Sequence, residues 1–349
     1  MKFDSIFLIA IALVLWSIPN GGSFAQDVAG AAAKNQTQTS RAPGGQTDAQ
    51  VRQTLESFRK VNDHPFFEMR FVGDYVADVP RKVSTTNEKL DGSWACSIFV
   101  SYAADGSARY GRNFDWQHNP ALLLHTNPSD GYASISMVDI SYLGYGRKDE
   151  KFKTVEGRKA LLAAPLLPFD GMNEHGLTVG MAAVGDTKVP VDADKPSVGS
   201  LQIIRLMLDR AKTTDEALQL FGQFNIVKSG GPNIHYLIAD ADGKSAVIEL
   251  KDGKTNIIRG DSNWQSATNF YLTGQSKPLT QCRRFAQIHR VMTNKQGSLS
   301  QEQIFKLLKN VSQQNTQWSV VYDMKKKEAH VATDRNFNRR SVFKVTSTN

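Results

Sequence analysis

A mostly apolar run over residues 97–103 is followed by a mixed apolar and polar run over 109–116. The first run is rich in β-branched and aromatic side chains. Between the two lies Ala104-Asp105-Gly106-Ser107, which has turn chemistry. The pattern predicts an antiparallel hairpin. Further along, 121–125 and 133–145 read as strands or buried segments. The apolar run 158–167 ends at Pro168-Phe169-Asp170-Gly171, and 177–184 reads as a strand. Residues 235–239 and 245–251 flank the turn Asp240-Ala241-Asp242-Gly243, and 256–259 and 266–272 follow as strands. The segments 317–322 and 328–332 form a closing hairpin, with 341–345 after it. Helical spacing marks 200–211, 214–224, 283–292 and 301–311. Thr213 or Thr214 would cap the second of these, and Ser300 with Gln303 would form a capping box on the last. Strands interleaved with helix pairs predict an α+β fold, with antiparallel sheets covered by helices in a four-layer sandwich.

The N-terminal third has a different organisation. Lys2 precedes an apolar run over 6–18, and a polar stretch then ends in Ser23-Phe24-Ala25. This is the layout of a secretory signal peptide cut after Ala25, so residues 1–25 are expected to be removed and the protein to be secreted or periplasmic. Residues 26–50 are small and polar and are expected to be a linker. Val51, Leu55 and Phe58 share a helical face, and Phe66, Phe67, Met69, Phe71 and Tyr75 follow in partial alternation. Residues 51–95 are therefore expected to fold against the rest of the chain. No later segment is long and apolar enough to span a bilayer, and no internal repeat is present.

Composition is that of a globular protein: 349 residues, 40% hydrophobic and 22% charged. The formal charge is +8, and all of the excess lies beyond residue 95, because the first 95 residues carry ten basic and ten acidic groups. The basic residues are scattered and come with no nucleic-acid motif, so nucleic-acid binding is not expected. The seven histidines show no metal-ligand spacing. Gly230-Gly231-Pro232 is a turn, not a phosphate loop, and no cofactor is implied.

Two cysteines are present, Cys96 and Cys282. In an exported chain they could form one disulfide. Cys96, however, heads the predicted hairpin, and Arg112 and Asp115 sit near the end of the returning strand. That topology brings a guanidinium and a carboxylate back towards the thiol. A neighbouring cation lowers a thiol pKa, and a carboxylate can orient an amine. His118 and His175 also admit a Cys–His reading.

Four stretches carry a resemblance to a known family: Cys96-Ser97 with Gly111-Arg112-Asn113-Phe114-Asp115; Gly171-Met172-Asn173-Glu174-His175-Gly176-Leu177; Ala267-Thr268-Asn269-Phe270; and Arg283-Arg284-Phe285. In this order they resemble the N-terminal-nucleophile amidohydrolases of the choloylglycine hydrolase, acid ceramidase and linear amide C–N hydrolase group. The resemblance runs from about residue 51 to the C-terminus and is nearest to secreted members.

The resemblance implies the four-layer αββα sandwich of that group, with 26–95 as linker and pro-segment and 96–349 as catalytic domain. Cys96 would cut the Ala95–Cys96 bond and become an N-terminal nucleophile. Asp115 would hold its α-amine, and Arg112 would favour the thiolate. Asn269 and the backbone N–H near Asn173 would form an oxyanion hole. Arg284 would brace the site, with Arg283 the alternative match. The substrate would be a small N-acyl amide. The same site could instead pass its acyl group to an amine, as in isopenicillin-N acyltransferases. A non-catalytic envelope protein with a Cys96–Cys282 disulfide is the third reading. About seventy residues separate the signal segment from Cys96, and the stretch between Asn269 and Arg284 is short. Both features point away from a bile-salt substrate. The acyl group, the leaving amine and the oligomeric state are not fixed by the sequence.

Overall fold

The computed structural model describes residues 45–75, 95–228 and 231–347. The expected signal segment, most of the linker and residues 76–94 of the pro-segment lie outside these.

The hairpin forms Ala95–Tyr102 and Ala108–Asp115. Its turn is set locally. Gly106 adopts φ +80°, a conformation open to glycine, and Asp105 accepts the Ser107 N–H at 2.9 Å. The two strands sit inside a six-stranded antiparallel sheet in the order Trp264–Ala267, Ala95–Tyr102, Ala108–Asp115, Thr316–Asp323, Glu328–Thr333, Ser341–Lys344.

A nine-stranded sheet lies opposite. Its order is Arg59–Asn62, Phe66–Arg70, Ala121–Thr126, Ser134–Asp139, Asp170–Asn173, Thr178–Val184, Asn233–Ala239, Ser245–Lys251, Lys254–Arg259. All its pairings are antiparallel except one. Phe66–Arg70 runs parallel to Ala121–Thr126, so residues preceding Cys96 extend a sheet built from residues that follow it.

Period-two alternation assigns the faces. Cys96, Ile98, Val100, Phe114, Trp318, Val320 and Tyr322 point into the large core between the sheets. Phe99 and Val321 point the other way, into a smaller core with Ile288, Met292, Ile304 and Leu308. Arg283–Asn294 and Gln301–Asn310 cover that outer face, the second helix opened by the Ser300–Gln303 capping box. Gln202–Arg210 and Thr214–Phe221 cover the nine-stranded sheet, the latter capped by the Thr213 hydroxyl. The result is helix, sheet, sheet, helix, the α+β sandwich of antiparallel sheets that the sequence predicts.

Several boundaries differ from expectation. The first helix is Asp48–Glu56, opened by a Thr47–Gln50 capping box inside the expected linker. The segment 133–145 is a strand only over Ser134–Asp139. The Asp139 side chain then caps a 3-10 turn, Ile140–Leu143. The run 158–167 lies mostly in a 3-10 helix, Glu156–Leu166, and the strand expected over 266–272 ends at Ala267. No helix among the described residues is long and apolar enough to cross a membrane.

Candidate active site

The early end of Trp264–Ala267 shapes the site. Ala267 pairs with Ile98, so Cys96 lies past the end of that ladder. A side chain takes over the missing acceptor: Asn269 Oδ1 accepts the Cys96 N–H at 2.5 Å. The same oxygen accepts Arg284 Nη2 at 2.9 Å, while Asn269 Nδ2 donates to the Ala183 carbonyl at 2.8 Å. Two donors on one atom and an acceptor on the other fix the orientation of the amide. Asn269 thus turns its oxygen towards Cys96. It keeps one amide proton beyond the bond to Ala183.

Arg284, in the first turn of its helix, completes the frame. Its Nη1 donates to the Cys96 carbonyl and to Ser97 Oγ, the latter at 2.9 Å, and lies 3.9 Å from Asp115 Oδ2. Arg283 beside it is exposed, so of the two candidate arginines Arg284 occupies the site.

Asp115 is opposite Ala95 in the hairpin register. Its Oδ1 accepts the Thr316 hydroxyl across the sheet, and its buried Oδ2 has no hydrogen-bond partner. Burial raises its pKa to about 7, against the opposing effects of the Thr316 bond and of Arg284, Arg112 and Arg335.

Arg112 is wholly buried between the sheets, with Nη2 3.9 Å from Cys96 Sγ. Its Nη1 donates to the Phe169 carbonyl and to Asp170 Oδ2. Asp170 also accepts Trp318 Nε1 at 3.2 Å and the Tyr322 hydroxyl. Burial opposes the charge on Arg112, but Asp170 and Cys96 prevail and raise its pKa. The Cys96 thiol itself is raised: burial outweighs the opposing pull of Arg112. The expected thiolate is therefore not favoured while the thiol is enclosed and the backbone intact.

The structure brings together Cys96, Arg112, Asp115, Asn269 and Arg284. It does not bring Asn173 to them. Asn173 Nδ2 donates to the Leu208 and Ala211 carbonyls, and its Oδ1 accepts the His175 and Leu177 N–H groups. Its own N–H donates to the Leu177 carbonyl. Asn173 therefore pins a turn to a helix end, with its side chain and its own N–H already bonded. His118 lies 3.8 Å from Asp334 and His175 stacks on Tyr132, which places both rings in other clusters. Both cysteines are free, so the disulfide reading does not describe this structure.

Sequence reasoning missed Asp170, Thr316, Ala183 and a buried pair, His235 and Glu249. His235 Nδ1 lies 3.2 Å from Glu249 Oε1, and its Nε2 lies 2.7 Å from the Thr268 carbonyl. Glu249 accepts the Leu272 and Thr273 N–H groups. The pair thereby holds both ends of the loop that carries Asn269. Only Pro168-Phe169-Asp170-Gly171 offered a signal, an acid closing an apolar run.

The helix–sheet–sheet–helix sandwich thus carries Cys96 at the head of an inner strand. The family model for acyl-coenzyme A:6-aminopenicillanic acid acyl-transferase matches residues 168–340. A penicillin V acylase from Pectobacterium atrosepticum is 28% identical over 125 residues, which cover 33% of this chain and 32% of the relative. The match thus spans about a third of that relative's length. Penicillin V acylase from Agrobacterium tumefaciens has a similar fold, with TM-score 0.50 and 19% identity over 71% of this chain and 85% of that one. So has a variant of conjugated bile acid hydrolase from Clostridium perfringens, with TM-score 0.52 and 17% identity over 71% and 92%. The chain is thus similar in fold to a penicillin V acylase and to a conjugated bile acid hydrolase, and the acyl-transferase family model covers just under half of it.

Proposed function

We propose that this protein is an exported, self-processing amidohydrolase that cleaves a linear N-acyl amide through a thioester on Cys96. One observation carries the reading. The Cys96 backbone is held from both sides, its N–H by Asn269 and its carbonyl by Arg284, while a buried carboxylate oxygen of Asp115 lies beside them without a hydrogen-bond partner.

The first step acts on the chain itself. Cys96 Sγ attacks the Ala95 carbonyl carbon, the C–N bond breaks, and the nitrogen takes the thiol proton. Water then hydrolyses the Ala95 thioester, leaving a carboxylate on Ala95 and a free amine on Cys96. Such an amine has a pKa near ~8 and can take the thiol proton at neutral pH. Asp115 Oδ2 supplies its counter-charge. In turnover the thiolate attacks the substrate carbonyl, and the ammonium protonates the leaving amine. Water, deprotonated by the same amine, then hydrolyses the acyl thioester. The second Asn269 amide proton is the candidate oxyanion donor, a contribution of about 3–4 kcal/mol.

A small pocket with about 20 Å³ of free space, lined by Tyr142, Phe169, Met181, Leu201, Pro232 and Ile234, adjoins the site. Phe169 belongs to both, since its carbonyl receives Arg112. This lining suits an apolar acyl group. Export rests on the residue pattern of 1–25.

Intact-mass and N-terminal analysis of the wild type beside Cys96→Ala tests the proposal. A new N-terminus at Cys96 in the wild type alone supports it. A single uncut chain in both, from an active preparation, would refute it. The matching acyltransferase model favours a second reading, acyl transfer to an amine at the same thioester. Product partitioning with and without added amine acceptors separates the two.

A further inference from the structure

His64, His118 and Asp334 are far apart in sequence, which is why spacing gives no metal signal. The fold converges them: one ligand atom from each lies within 4.8 Å of the others. His118 Nε2 is 3.8 Å from Asp334 Oδ1, and the two imidazoles meet edge to face with centroids 4.4 Å apart. His64 is 5% exposed, yet neither of its ring nitrogens has a hydrogen-bond partner. A buried imidazole without partners is costly, and coordination would satisfy it. The pair also resists protonation. Burial brings His64 down to about 4, with His118 adding to the effect, and burial lowers His118 as well. Neutral imidazole is the ligand form.

The site opens on a cavity of about 180 Å³ whose lining includes Asn62, Asp63 and Arg339. The Asn62 side chain donates to Thr333 Oγ1 at 3.0 Å and accepts the His64 N–H at 3.0 Å, so the two walls already meet here. Two atoms bound to one tetrahedral zinc at ~2.0–2.2 Å stand roughly 3.3–3.6 Å apart, close to the His118–Asp334 separation, and Asp334 is 69% exposed on a turn. Arg147 and Arg339 stand nearby and oppose a cation; the carboxylates of Asp334 and Asp63 offset them.

We propose that His64, His118 and Asp334 bind a divalent transition-metal ion of the zinc type, with a water in the remaining position. Two nitrogens and one carboxylate suit zinc and not calcium or magnesium. His64 precedes Cys96 and the other two ligands follow it. If the chain is cut at Ala95–Cys96, as the proposed function has it, the ion joins the two resulting polypeptides.

The test uses the full chain and begins with uncut Cys96→Ala, so metal binding is measured independently of processing. EDTA-stripped protein is titrated with zinc by calorimetry and by competition with a chromophoric chelator. Magnesium and calcium serve as controls. Saturable binding of one zinc per chain is expected, weakened at least about tenfold in His118→Ala and in Asp334→Asn, both of which alter exposed or half-buried positions. Absence of saturable binding, or equal binding in both variants, overturns the site. On processed protein, zinc is expected to raise the urea concentration at which the N-terminal fragment separates on size exclusion. No rise alongside intact binding overturns the staple. Zinc binding by a wild type that also stays uncut would instead count against the proposed processing alone and leave the metal site standing.

Discussion

Asn269 Oδ1 stands 2.5 Å from the backbone nitrogen of Cys96, across 173 residues of sequence. One side chain thus completes a strand edge that the ladder leaves open, and in doing so it sets where the Ala95–Cys96 peptide lies relative to Arg284 and Asp115. Asn269→Ala removes both the acceptor for that N–H and the spare amide proton. Self-cleavage is expected to slow by about 10²–10³-fold, the usual effect of losing one oxyanion donor. The time course of the Cys96 N-terminus by mass spectrometry measures it. Cleavage at the wild-type rate would mean that Asn269 only shapes the strand edge.

Asp115 gives the reaction a pH signature. Its pKa is raised to about 7, chiefly by burial. The charged carboxylate that can offset the nitrogen as it takes the thiol proton therefore accumulates only as pH rises through that value. The cleavage rate of freshly refolded precursor is expected to climb between about pH 6 and 8, and Asp115→Asn is expected to flatten and lower the profile. Stability runs the other way. A folded pKa above the unfolded one contributes stability that is fully present below the unfolded pKa and is lost as pH rises towards 7. Uncut Cys96→Ala should therefore lose urea resistance from about pH 4 to 7, and adding Asp115→Asn should remove that part of the slope. An unchanged slope in the double variant would assign the titration to another group.

The placement of these residues shows what the sequence could and could not convey. Cys96, Arg112 and Asp115 were legible because they share one hairpin, where a β-branched and aromatic run and an Asp-Gly turn mark the strands locally. Arg284 and Asn269 were found only through family resemblance, since nothing local distinguishes Arg284 from Arg283 or a site asparagine from a loop asparagine. Asn173 came from the same resemblance. Asn-Glu-His-Gly is strong turn chemistry, and the turn and a neighbouring helix end between them engage both polar atoms of the asparagine side chain. Asp170, Thr316 and the His235–Glu249 pair were not legible, because each acts across sheets or between distant strands.

Arg112 and Asp170 form a wholly buried ion pair that reaches from one sheet to the other. Breaking such a pair from one side leaves an uncompensated charge, a cost of about 3–5 kcal/mol. Asp170→Asn is expected to lower the urea midpoint accordingly and to impair cleavage. The double variant Arg112→Met, Asp170→Leu is expected to recover much of the stability without recovering cleavage, because no guanidinium then faces Cys96 Sγ. Chemical denaturation of both variants, with cleavage followed in parallel, checks this. Recovery of cleavage in the double variant would reduce Arg112 to a packing role.

His235 and Glu249 do not touch Cys96, but they grip the loop that does. His235 meets the Thr268 carbonyl immediately before Asn269, and Glu249 receives the Leu272 and Thr273 N–H groups just beyond it. They are positioning residues. Glu249→Gln keeps the shape and one acceptor oxygen while removing the charge that strengthens these bonds. A loss of about 1–3 kcal/mol is expected, concentrated in the loop. Hydrogen exchange should rise at Leu272 and Thr273 before it rises in the strands, and on processed enzyme kcat should fall more than KM changes, since the acyl cleft is not touched. His235→Gln, which retains a donor near the Thr268 carbonyl, should recover part of the rate lost in His235→Ala. Equal rates in those two variants, or exchange that rises uniformly across the nine-stranded sheet, would mean the pair stabilises the core and does not aim Asn269.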